Sequence, residues 1–155
     1  ILHTISQLGN GGRERRMVQL VKGLEQSNKF SQYIITFTKE IEYSEILSTT
    51  AELIYIDYKS ISKHKLFVKL KEVISKIRPD IVHSWNGGVI DIFLSILKPF
   101  YSYKYIAGYV ADGNKLGAIS KSQLIHKLSF ISADVIVSNS MAGLYAKKAP
   151  LKNAL

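Results

Sequence analysis

Short runs of β-branched and apolar residues alternate along this chain with stretches whose apolar residues recur at helical spacing. This alternation constrains the fold more than any other feature. Strand-like runs occupy residues 1–6, 32–38, 53–57, 80–85, 103–110 and 134–138. Between them, Met17, Leu20, Val21 and Leu24 mark one face of a helix over 13–26. Leu66, Leu70, Val73, Ile74 and Ile77 mark a second, closed by Arg78 ahead of Pro79. Residues 89–97 follow Gly87 and Gly88 and are apolar nearly all round, which predicts a buried helix. Leu124, Ile125, Leu128 and Ile131 place another helix near 121–132, and a short one starts near Ser140. A helix between two strands returns the chain to the edge it left, so successive strands run parallel. The expected class is α/β: one Rossmann-like, doubly wound domain over 1–155, with a mainly parallel sheet of six or seven strands and helices on both faces.

With 155 residues, 46% of them hydrophobic, one domain with a real core is the natural size. Residue 1 already lies in strand-like sequence without an initiator methionine, and 151–155 trail behind Pro150, which leads us to expect a piece of a longer protein. No run approaches the roughly 18–20 apolar residues of a membrane span, and no signal peptide opens the chain, so a soluble, cytoplasmic protein is expected. There is no cysteine, and His3, His64, His83 and His126 lack ligand spacing, so neither disulfides nor a metal site is expected. The net charge of +9 is uneven. Lys63, Lys65, Lys69, Lys71, Lys76 and Arg78 crowd one helix whose only acid there is Glu72, giving either a solvated face or a surface for polyanions such as anionic lipid.

In open parallel sheets, ligands bind at the carboxyl ends of the strands, where helix amino termini converge. That selects the loops at 9–13, 85–88, 111–115 and 139–141. Glycine in the first loop lets the backbone approach a ligand or adopt positive φ, which makes Gly11 and Gly12 candidates for binding an anion, against the alternative of a tight turn without a ligand. A dinucleotide fingerprint counted from Gly9 and Gly11 would put its last glycine at Glu14, and no Lys-Ser or Lys-Thr ending makes a P-loop.

Three segments resemble a known family. Gly11-Gly12-Arg13-Glu14-Arg15 after the first strand is similar to the turn opening family 4 of the retaining GT-B glycosyltransferases. Pro79-Asp80-Ile81-Val82-His83-Ser84 resembles that family's fourth-strand segment, and residues 133–140 resemble its segment before the last helix. The match runs in the family's order across essentially the whole chain. It implies the amino-terminal, acceptor-side domain of an enzyme that moves a sugar from a nucleotide diphosphate sugar to a saccharide or lipid-linked acceptor, in surface polysaccharide or glycolipid biosynthesis. The donor is a substrate, and no cofactor is implied. Gly11 and Gly12 would lie near the donor diphosphate, while Asn10, Arg13, Trp85, Asn86, Asp112 and Asn139 are the acceptor-side candidates. The carboxyl-terminal nucleotide-sugar domain would be missing, leaving this part inactive alone. Many relatives carry a histidine where Ala111 stands, so Asp112 is the candidate catalytic group there, in competition with plain turn chemistry.

The residues also admit structural readings. His83 in a buried strand reads as a hydrogen-bonded core histidine in preference to a catalytic one. Trp85 either stacks on a sugar or caps the core, and Asn86 beside it can bond sugar hydroxyls. Ser138, Asn139 and Ser140 could line the acceptor side, although Asn139 or Ser140 suits a helix cap better. Arg13, Arg15 and Arg16 could attract a phosphate, but near a helix start they are expected to point to water. Two other functions compete with transfer. One is a nucleotide-binding oxidoreductase domain, disfavoured by Glu14. The other is a basic nucleic-acid module, disfavoured because the aromatics cluster in strands and do not interleave with the lysines, so no nucleic acid is expected. The basic helix suggests peripheral docking on the inner face of the plasma membrane.

Overall fold

The computed structural model describes residues 1–110, 128, 130–138, 141–146 and 150. Among them are the strands Leu2–Ile5 (β1), Tyr33–Thr36 (β2), Glu52–Tyr55 (β3), Ile81–Ser84 (β4), Lys104–Val110 (β5) and Val135–Ser138 (β6). The helices are Gly12–Glu25 (α1), Lys63–Ile77 (α2), Val89–Tyr101 (α3) and Met141–Ala146 (α4). All strand pairings are parallel, in the order β3-β2-β1-β4-β5-β6. The chain steps outward from β1 to β3, returns to the other side of β1, and steps outward again. β1 and β4 therefore sit side by side where the strand order reverses, the place where open α/β sheets form a ligand crevice.

Strand alternation distributes the core between two faces. Leu2, Ile35, Val82 and Tyr105 join Leu66, Leu70 and Ile74 of α2 and Ile90, Leu94 and Leu97 of α3. Ile5 and Ile34 join Met17, Val18 and Val21 of α1 on the other. Each such side chain contributes about 1.5–3 kcal/mol by leaving water. A short 3₁₀ helix at Ser44–Ser48, which the polar composition of the stretch concealed, buries Ile46 in the α1 cluster.

α3 departs from expectation in two ways. It continues beyond residue 97, through Pro99, to a left-handed cap at Ser102, although proline has no N–H to donate to the preceding turn. Nor is it buried all round: Ile96 is 49% and Phe100 77% exposed, on the side turned away from the sheet. α2 is capped at its start by Ser62 Oγ, which accepts from the Lys65 N–H, and at its end by Arg78 in the left-handed region. Its basic face looks outward, with Lys63, Lys65, Lys69, Lys71 and Lys76 all exposed. Of the helix expected near 121–132, only 128 and 130–132 are among the described residues. No helix among the described residues is long and apolar enough to cross a membrane.

Candidate functional site

Two helices open beside the β1–β4 switch point, and neither carries a side-chain cap: α1 begins at Gly11 and α3 at Gly88. By contrast α2, which follows the outer strand β3, has the Ser62 cap. Uncapped first turns leave backbone donors for a ligand or for nearby side chains.

At α1 the glycines work differently from the expectation of positive φ. Gly11 is extended, at φ −94° and ψ 160°, and its N–H already donates to the Gly9 carbonyl at 2.9 Å. It therefore offers no free amide to a ligand. Gly12, exposed and with nothing within 4 Å of where a Cβ would sit, remains open. Gly11 has to lack a side chain because Glu14 folds back over it: a Cβ would stand 2.9 Å from the Glu14 Cδ and closer still to Oε2. Glu14, 3% exposed, thus seats its carboxylate on the first turn of its own helix, where the helix dipole favours negative charge. Arg13 holds it there, with Nε and Nη2 donating to Oε1 at 3.1 and 2.6 Å, while Nη2 also donates to Ser6 Oγ at 2.9 Å. Of the three arginines, Arg15 and Arg16 are exposed as expected, and Arg13 instead turns inward to this ion pair.

The positive φ values lie in the second loop, at Gly87 (101°) and Gly88 (70°). They bend the chain from β4 into α3 and bring Asp91, in the first turn of α3, beneath the loop. Asp91 is 3% exposed and ends a directed chain of hydrogen bonds. Asn86 Nδ2 donates to Thr4 Oγ1 (2.8 Å), Thr4 to Ser84 Oγ (3.2 Å), and Ser84 to Asp91. The register that pairs Thr4 with Ser84 makes the middle link possible. The Gly87 N–H also donates to Asp91, and Tyr105 lies against it. Burial pushes the Asp91 carboxyl above the usual carboxylate range, and burial first, then Asp91, pushes Tyr105 up as well.

Asn86 also lines an open pocket of about 260 Å³, together with Ser6, Phe37, Tyr58, Gly87, Val89 and Ile90. The two rings meet edge to face with centroids 6.0 Å apart. The second-loop candidates thus separate: Asn86 faces the pocket, while Trp85 is buried in the α1 cluster, 4.4 Å from the His83 ring. Trp85 caps the core. His83 is buried as expected, but its Nε2 has no hydrogen-bond partner, and burial lowers its pKa to about 4; His3, 5.7 Å away, is lowered to about 3 by burial and then by His83. Asn10 is exposed on the first loop. Ala111, Asp112, Asn139 and Ser140 lie outside the described residues. Among the described residues, no three His, Asp or Glu side chains come close enough together to hold a metal.

The sequence reading missed Phe37, Tyr58, Thr4, Ser84 and Asp91. Thr4 and Ser84 are polar interruptions at core-facing strand positions, and Asp91 is the lone acid in an apolar helix; those signals were present. Nothing local marks Phe37 and Tyr58 as partners.

No family model matches the chain, and no curated protein matches it by sequence. Solved structures match its fold over 99% of its length. HepE from Anabaena, in complex with UDP and glucose, superposes with a TM-score of 0.70 at 14% identity. UDP-GlcNAc 2-epimerase from Neisseria meningitidis, bound to UDP-GlcNAc, gives 0.67 at 12%, and S. aureus MnaA with UDP gives 0.62 at 16%. The chain spans 42%, 44% and 43% of those three structures, respectively. It has the Rossmann-like fold of one half of a GT-B architecture.

Proposed function

We propose that this chain is the acceptor-side half of a nucleotide-sugar-dependent glycosyltransferase. The whole enzyme would move a sugar from a nucleotide diphosphate sugar to a saccharide or lipid-linked acceptor, with retained configuration as in family 4 of the GT-B enzymes, in surface polysaccharide or glycolipid assembly. The observation that carries this reading is the pair of uncapped helix starts at the β1–β4 switch point, with a pocket at the start of α3 that is lined also by Phe37, Tyr58 and Asn86. The fold shared with structures that hold UDP or UDP-sugars supports it. Gly12, with the first-turn amides after it, is the donor-diphosphate contact from this side, and leaving-group charge would be supported electrostatically. Transfer by this chain alone is not expected, since the matched structures are more than twice as long.

The test is an NMR titration of the ¹⁵N-labelled chain with UDP and UDP-glucose. Shifts gathered at residues 12–14 and 86–88 support the reading; shifts elsewhere, or none, reject it. A second reading, nucleotide-sugar epimerisation, is favoured by the comparable match to 2-epimerases. Product analysis of the whole enzyme with UDP-GlcNAc separates it from transfer.

The exposed lysines of α2 support peripheral binding to the anionic inner leaflet, at about 1 kcal/mol for each lysine near the surface. Vesicle co-sedimentation that ignores both anionic lipid content and salt rejects that.

A further inference from the structure

The direction of the hydrogen-bond chain from Asn86 to Asp91 determines what the pocket can accept. Asp91 Oδ1 receives the Ser84 proton, Ser84 Oγ receives that of Thr4, and Thr4 Oγ1 is left as an acceptor. The Asn86 backbone N–H reinforces this polarity by donating to Ser84 Oγ at 3.3 Å. Asn86, which lines the pocket, therefore spends its Nδ2 inward, on Thr4, and leaves Oδ1 buried and without a partner. Asn86 is 8% exposed, and an unpaired amide oxygen at such a depth is unfavourable until a donor reaches it.

An acceptor there welcomes a hydroxyl and repels a phosphate or carboxylate. The other polar group, Ser6 Oγ, accepts from Arg13 and has its own proton left to give. Among the described residues no acidic or basic side chain lines the pocket, and Arg13, the nearby cation of the first loop, is engaged with Glu14. Phe37 and Tyr58 line the same pocket, Tyr58 being 46% exposed and so open to contact. A pyranose carries an apolar C–H face and a rim of hydroxyls that both donate and accept, which matches an aromatic wall together with one acceptor and one donor.

We infer that the pocket lined by Asn86 and the Phe37–Tyr58 pair is a subsite for one uncharged sugar ring, with Asn86 Oδ1 receiving a ring hydroxyl, Tyr58 stacking on the C–H face, and Asp91 acting at a distance to hold Asn86 in that orientation. The inference rests on the saccharide-acceptor reading above and adds that the unit bound at this point carries no phosphate. Asp91 is a positioning residue. Exchanging it for asparagine permits the chain to reverse, so that Asn86 turns its NH₂ outward.

The experiment titrates the ¹⁵N-labelled full chain with methyl α-D-glucopyranoside, methyl α-D-mannopyranoside and the 6-phosphate of each sugar. Expected are saturable shifts of the Asn86 side-chain amide and of the Gly87 and Tyr58 amides with the neutral glycosides, and roughly tenfold weaker binding of the phosphates. Tyr58→Ala, at an exposed rim where folding is not at stake, weakens the neutral glycosides by a similar factor. Asp91→Asn does the same and also moves the Asn86 Nδ2 resonance in the free protein, a change that a purely structural role would not confine to that group. Tighter binding of the phosphates at Asn86 overturns the inference. So does an unresponsive Asn86 in a chain whose 12–14 amides still respond to UDP, an outcome that leaves the proposed function standing. Silence toward glycosides and UDP alike rejects both.

Discussion

Gly108→Ala tests how tightly β4 and β5 fit together beside the site. A methyl on Gly108 would lie 2.9 Å from His83 Cδ2, 3.0 Å from the Ser84 carbonyl oxygen and closer still to His83 Nε2. The ring has no easy retreat, with the Trp85 ring tilted against it at 4.4 Å and His3 at 5.7 Å, and the carbonyl belongs to a central strand. Alanine in a strand interior would otherwise gain about 0.5–1 kcal/mol over glycine. Overpacking of a rigid core costs about 1–3 kcal/mol, so a net loss of roughly 1–2 kcal/mol is expected. In a domain of this size each kcal/mol shifts Tm by about 2–4 °C, giving a fall of roughly 2–8 °C. Urea unfolding followed by the fluorescence of Trp85, the single tryptophan, reads the loss directly. Adding His83→Ala to Gly108→Ala removes the obstacle, so the double variant is expected to be more stable than the sum of the single effects by about 0.5–3 kcal/mol. A Gly108→Ala protein as stable as the parent, or a strictly additive double variant, refutes the reasoning.

Three further outcomes are expected. The folded-state pKa values of His3 and His83, about 3 and about 4, lie below the usual 6.5, so the unfolded chain binds protons first. Stability is therefore intact above pH 6.5 and falls as pH drops from there toward 3, by up to about 1.4 kcal/mol per pH unit for each imidazole; urea midpoints that do not move between pH 7 and pH 5 contradict this. Gly88→Ala forces an L residue into φ 70°, ψ −136° and is expected to cost about 1–3 kcal/mol and to loosen the start of α3, read as faster amide exchange at residues 89–91. Ser62→Ala removes the α2 cap at a cost of about 0.5–2 kcal/mol without altering ligand titrations, and an effect on UDP shifts would mean that α2 is coupled to the site.

The elements were legible because periodicity is a local record of burial: Leu66, Leu70 and Ile74 repeat at helical spacing and all three are buried. The loops of interest followed from the rule that parallel strands present their carboxyl ends together. Within those loops the reading was less sharp. Gly11 was singled out for a ligand and is occupied by Glu14, a conflict that appears only when the side chain is seen folding back along its own helix. Trp85 and Asn86 are adjacent, and strand alternation sends one into the α1 cluster and the other to the pocket.

Amphipathic spacing, turn residues and the charge run belong to stretches of a few turns or strands, so the amino-acid order alone determined the class of fold, the basic face of α2 and the edge of the sheet where chemistry can occur. Tertiary structure decided which distant residues meet. Thr4 and Ser84 stand 80 positions apart and touch because β1 is flanked by β4, and the Phe37 and Tyr58 rings meet because β2 and β3 end side by side. Strand order reflects how the whole core closes, a global balance of buried area against chain connectivity, and no local pattern encodes it.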